Sequence, residues 1–207
     1  MLQLATQGEF WSKDKLELNM SFDTLRDFQW KRLIEAIWAL PGITGPFEER
    51  YIPGQPEPNK KAMQTPEPTS AYSEFGIWEI QPGLRIGIEV LVTRSLFECV
   101  SILIPIKMFD NFNPEDDNED FKALEQSLYD LALKIYKTTA FSLAAIGMNR
   151  GCQLIVELVG DPAVKDAFVR AGNFLARDDS LMALRLQPRT YKEVMPALRW
   201  CPRGRRS

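Results

Sequence analysis

Residues 73–109, SEFGIWEIQPGLRIGIEVLVTRSLFECVSILIPIKMF, constrain the fold of this chain more than any other stretch. Three runs rich in β-branched and aromatic residues are separated by Gln81-Pro82-Gly83 and by a turn near Ser95, the pattern of a three-strand antiparallel meander. A turn centred on Ser95 sets Val90 against Val100, Ile88 against Ile102, Ile86 against Ile104 and Leu84 against Ile106. Four apolar pairs on one face hold a register strongly, because a one-residue slip would turn them all over. The other face mixes Arg85, Gly87, Glu89, Leu91 and Thr93 with Phe97, Cys99, Ser101 and Leu103. A three-residue Gln81-Pro82-Gly83 loop places Trp78 beside Ile86 and Glu79 beside Arg85; a two-residue Pro-Gly type II turn is the rival.

The fold class read from these runs is α+β, an antiparallel sheet built on the 73–109 meander plus a hairpin at 140–159, with helices mainly on one face. With 207 residues the chain fits a single domain able to bury a sizeable core. Residues 14–20 alternate as a short strand. Trp30, Leu33, Ile34, Ile37 and Trp38 form one face of a helix over about 23–40, with Ser21 or Asp23 as its cap. Seven of the 14 prolines fall between Pro41 and Pro68, so 41–72 reads as an exposed loop: a linker, a lid or a partner-binding arm.

The acidic run from Asp110 to Asp120 imitates the start of a calcium loop, but Phe121 and Ser127 stand where a glycine and a bidentate glutamate are required. Helix capping is the simpler account. The helix over 118–136 carries Phe121, Leu124, Leu128, Leu131 and Ile135 on one stripe. A second stripe of Tyr129, Leu133 and Tyr136 widens the apolar surface, which predicts burial on two sides and a homodimer through this helix. Beyond it, 140–146 and 153–159 alternate as the hairpin, Asp161-Pro162 opens a helix, 181–186 reads as a strand, and Thr190 caps a last helix through Trp200. The arginine-bearing tail, 202–207, reads as flexible and basic.

There is no histidine. That removes Ser-His-Asp and Cys-His catalysis, His-containing zinc sites and the commonest general base. No phosphate loop, dinucleotide fingerprint or nucleophile elbow is present. Catalytic, cofactor and metal residues are therefore expected to be none, and no cofactor is implied. Cys99, Cys152 and Cys201 show no paired spacing, which together with an N-terminus lacking an export pattern reads as a reduced, cytoplasmic setting. No run of 18 uncharged apolar residues exists, so no membrane partner is expected. A net charge of −3 argues against nucleic acid across the domain, leaving only the tail for it.

The order helix, meander, helix, hairpin, helix over about 23–172 resembles that of type III secretion chaperones and related bacterial sensory-regulator-like proteins. The resemblance rests on element order and acidic balance. It implies a small dimeric module that binds another polypeptide without catalysis. The functional expectation is accordingly a non-enzymatic protein-binding module of chaperone, adaptor or immunity type. The alternatives are a ligand-binding protein or carboxylate-based enzyme on the mixed sheet face of Arg85, Glu89, Cys99 and Ser101, and nucleic-acid contact through the tail.

Overall fold

The computed structural model describes residues 11, 14–64, 67–94, 98–108, 119–148, 150–151 and 154–203. The expectations placed on Ser95, on the acidic run up to residue 118 and on residues 204–207 lie outside the described residues.

The meander is present but is one part of a larger object. Nine strands form one antiparallel sheet in the order β2-β3-β4-β5-β1-β6-β7-β9-β8. They are β1 Lys15–Phe22, β2 Ile43–Phe47, β3 Ser70–Gln81, β4 Leu84–Arg94, β5 Glu98–Pro105, β6 Leu143–Met148, β7 Phe174–Arg177, β8 Lys192–Met195 and β9 Leu198–Cys201. This corrects the expected sheet of a meander plus a hairpin. β1 enters the centre of the sheet, between β5 and β6, and joins the two parts.

The 140–159 hairpin does not form. Only its first half is a strand; Ile155–Gly160 is a helix, α3, whose Glu157 side chain accepts a hydrogen bond from the Leu154 amide at 3.3 Å. A short apolar run fits both periods, and here only Leu158 of the presumed inward set is buried while Val156 faces solvent. The expected strand at 181–186 does not form either: its first half ends a helix, α5, Asp178–Ala183, and a turn follows. The expected final helix is the β8–β9 hairpin, with Pro196 in its turn rather than in a helix.

Register in the meander is nearly as expected. Trp78 pairs with Ile86 and Glu79 with Arg85, but Gln81 also pairs with Leu84. The turn is therefore the two-residue Pro82-Gly83, with a register shift between Glu79 and Gln81, and Gly83 supplies the positive φ of 83° that such a turn requires. Between β4 and β5, Val90 faces Ile102 and Val92 faces Val100, displaced by two residues from the expected pairs. A two-residue displacement keeps every side chain on its own face.

Both faces are covered. On the first, helix α1 (Asp27–Trp38) and helix α2 (Glu119–Thr138) pack Trp30, Leu33, Ile34, Leu128 and Ile135 onto Leu18, Met20, Ile88, Val90, Val100 and Ile102. The α1 cap is not Ser21 or Asp23. Ser21 stays in β1 and Asp23 accepts from Ser142 at 2.7 Å, while the Arg26 amide donates to Gln29. On the second face, α3, α5 and helix α4 (Pro162–Ala171) cover β6 and β7 through Leu143, Leu158, Phe168, Phe174 and Leu181. The two long helices thus share the first face, and three short ones cover part of the second. Asp161 caps α4 as its sequence predicts, accepting from Ala163 and Val164.

The proline-rich stretch 41–72 is not one long loop. It contains β2 and the start of β3, and Phe47, Tyr51 and Ile77 form a small core on the second face. Asn59 to Lys61 then runs along the β2 edge, with Glu48 N donating to Asn59 O and Lys61 N to Pro46 O. Past the edge, the buried Glu74 carboxylate accepts from the Gln64 amide and from Trp38 Nε1, both at 2.8 Å. The Trp38 ring lies flat on the sheet because Gly45 and Gly76 beneath it have no Cβ: one built on Gly76 would stand 2.5 Å from the ring.

Candidate functional site

The mixed face of the meander is the one site that sequence reasoning marked on the sheet. It arises because odd-numbered residues of β1, β3, β4 and β5 point away from the α1–α2 core. At its centre Glu89 is 6% exposed, and its carboxylate accepts hydrogen bonds from three neighbours: Ser73 Oγ at 2.7 Å, Lys15 Nζ at 3.2 Å and Arg50 at 3.5 Å. Arg50 also lies over two rings, 5.2 Å from the centre of Trp11 and 5.0 Å from that of Phe75, a favourable use of a guanidinium beside aromatic faces. Trp11 Nε1 and Arg50 Nε are buried without a hydrogen-bond partner.

Arg85 does not join Glu89. It is ion-paired with Glu57 from the proline-rich segment and sits 5.6 Å over the Tyr51 ring. That hydrogen bond raises its pKa further above the ordinary arginine value. Glu79 lies beside Arg85 as expected, and its carboxylate accepts from the Gly83 amide at 3.0 Å, bracing the turn. Cys99 and Ser101 are both buried, with Sγ 3.9 Å from Oγ. Cys99 takes part in a disulfide, against the reduced setting read from the cysteine spacing; Cys201 is a free thiol.

The arrangement is chemically closed. The Glu89 oxygens are occupied by protein donors, and Arg85 and Glu89 line no common cavity among those described. The proline-rich segment encloses a space of about 250 Å³ that includes Arg50 and Glu57 but neither Arg85 nor Glu89. Tyr72, nearby on β3, has its hydroxyl pKa pushed up by burial and by the charge of Glu74, and it donates to Gln64 O at 3.2 Å. No group of residues suited to hold a metal ion is found among the described residues. No helix among them is long and apolar enough to cross a membrane.

The proposed dimer stripe on α2 is used inside the chain. Tyr129 stacks edge-on against Trp200 of β9 with ring centres 4.7 Å apart, Tyr136 packs on Phe141 at 5.0 Å, and Leu133 is half-buried against the same core. Burial pushes both tyrosine pKa values up.

Sequence reasoning missed Lys15, Arg50, Ser73 and Trp11 around Glu89. Lys15 and Ser73 carried a signal, since each holds an odd position in a recognisable strand. Arg50 and Trp11 carried none, because a loop residue has no periodicity to say which face it will meet. No protein-family model, curated protein or solved structure matches the chain.

Proposed function

We propose that the protein is a non-enzymatic protein-binding module, of the chaperone, adaptor or immunity kind. One observation carries the reading. Six large apolar residues are exposed among the described residues, and four of them, Val156, Val159, Val164 and Met182, lie on the three short helices of the second face. Helix α3 is apolar on both sides: Leu158 is fully buried, whereas Val156 and Val159, three residues apart, are 71% and 52% exposed. Exposed apolar side chains concentrated in one region mark contact surfaces. The closed state of Glu89 supports the same reading, since a catalytic carboxylate needs an oxygen open to substrate.

The reading assigns the partner-facing surface to α3–α5; the second stripe of α2 is packed against Phe141 and Trp200. A homodimer through α2 would require β9 to leave that helix. A cytoplasmic location belongs to the proposal through the bacterial chaperone likeness alone, because the disulfide at Cys99 removes the cysteine argument for it. The test is a paired capture from the native cell with the wild-type chain and with Val156→Lys/Val159→Lys. Loss of a stoichiometric partner only in the variant, with an unchanged melting curve, supports the surface. Retention of that partner, or capture of none by the wild type, overturns it.

A further inference from the structure

Helix α5 ends beside two arginines whose charges the fold does not pair. Its last turn closes with the Arg185 amide donating to Met182 O and the Leu186 amide to Leu181 O, both at 2.9 Å. This double closure needs a left-handed residue, and Arg185 supplies it with a φ of 59°, where glycine is usual. The chain then passes Gln187 into a short helical turn, Pro188–Thr190. An open groove of about 370 Å³ lies there, lined by Met182, Arg185, Leu186, Gln187, Pro188 and Arg189. Leu186 is half-buried and packs on the second-face core, while Met182 is exposed.

No carboxylate stands among the described lining residues. The guanidiniums of Arg185 and Arg189 form no hydrogen bond, ion pair or ring contact with any described residue. The two carboxylates of α5 itself are committed elsewhere: Asp178 to Arg199 at 2.7 Å and Asp179 to Arg177 at 2.8 Å. One unpaired surface cation is ordinary. Two of them beside exposed apolar side chains favour a ligand that carries negative charge and an apolar group together. The groove also belongs to the contact surface already described. Met182 is common to both, and α3, which bears Val156 and Val159, packs against α5 with Leu158 and Leu181 in one core.

We propose that this groove docks a short acidic segment of a partner protein, with a large apolar side chain seated against Met182, Leu186 and Pro188 and flanking carboxylates paired with Arg185 and Arg189. The occupant's chemistry rests on the reading of this protein as a protein-binding module and makes that partner specific. A guanidinium fork meets a carboxylate through two parallel hydrogen bonds, and arginine clusters that read acidic motifs are a recurring mode of peptide recognition. Nucleic acid matches less well. Single strands are held by aromatic platforms as well as by charge, and the described lining holds no aromatic side chain. The volume lies near the lower bound for ligand pockets, so an extended segment fits where a folded domain does not.

Selection of a phage-displayed library of random peptides on the full chain tests this. Enriched peptides should combine several Asp or Glu with a Leu, Ile, Phe or Trp. The tightest of them, synthesised and labelled, should bind the wild-type chain with a Kd of about 100 μM or tighter by fluorescence anisotropy. Arg185→Asn keeps a residue that tolerates the left-handed backbone. Combined with Arg189→Gln, it should weaken that binding at least about tenfold with an unchanged melting curve, in keeping with two charge-assisted contacts. Added NaCl should weaken it as well. Absence of enrichment, enrichment without an acidic bias, or binding that the double arginine variant leaves intact overturns the proposal. Tighter binding of a single-stranded oligonucleotide or a phosphatidylserine vesicle than of the peptide, at the same salt, overturns it too. A cellular partner that Val156→Lys/Val159→Lys loses and Arg185→Asn/Arg189→Gln retains would leave the protein-binding reading standing and remove the acidic segment alone.

Discussion

Glu89 and Glu125 are both partly or fully buried carboxylates flanked by cations, and they are built to opposite ends. Glu89 lies mid-sheet, on a face that the proline-rich segment folds over, and Ser73, Lys15 and Arg50 take up its oxygens. Glu125 lies at an end of the sheet, where three arginines crowd one carboxylate around an open crevice. The difference lies in access: the Glu89 oxygens are met by donors from three parts of the chain beneath the proline-rich segment, whereas beside Glu125 a space of about 270 Å³ stays open.

The contrast can be broken most directly at Glu89. Glu89→Ala removes the carboxylate that accepts from Ser73, Lys15 and Arg50 on a covered face and should cost about 3 kcal/mol of unfolding free energy by urea denaturation. A loss under about 0.5 kcal/mol would show that the cluster is not sealed. Trp200→Ala removes the ring that covers Tyr129, one turn of α2 from Glu125, and should cost about 2 kcal/mol, toward the lower end for a large aromatic because the site is only half-buried. Light scattering of the wild-type chain should give the mass of a single copy, since Trp200 and Phe141 of the same chain already cover the stripe.

A subtler effect lies in pH. Burial raises the pKa of Glu125 in the folded chain, so the favourable contribution of its neutral form is full below the ordinary carboxylate value and is lost as pH rises through the raised one. Glu125→Gln should therefore gain stability relative to wild type as pH increases through that window. Asp178 and Asp179 have the opposite sign. Their hydrogen bonds from Arg199 and Arg177 lower their pKa values, giving stability that is present above the ordinary aspartate value and lost as pH falls through the lowered one. Asp178→Asn should flatten that acid limb in a pH series of melting curves. Smallest of all, Glu57→Gln breaks an exposed pair with Arg85 and should change stability by no more than about 0.5 kcal/mol; a larger loss would make the proprietary contact of the proline-rich segment part of the seal over the second face.

The two edges of the sheet repeat the lesson on a smaller scale. β2 is covered by Asn59–Lys61 of its own chain. β8 is only four residues long, carries Lys192 and Glu193 exposed and has a register shift between Glu193 and Met195, features that discourage edge pairing.

Local pattern alone determined the meander, the face on which each of its residues lies, the two long helices and the Asp161-Pro162 helix start, because each rests on contacts within a few residues or on strict periodicity. It also excluded histidine chemistry outright. Tertiary structure decided what the short apolar runs became. Residues 155–160 and 178–183 form helices because β7 and β9 complete the sheet and leave those runs to cover its second face. It decided the fate of the Tyr129–Leu133–Tyr136 stripe, whose neighbours Phe141 and Trp200 differ widely in chain distance. The arginine-lined crevice was illegible for the same reason: Glu125, Arg150, Arg170 and Arg203 share no spacing, and only the meeting of four chain segments brings them around one space.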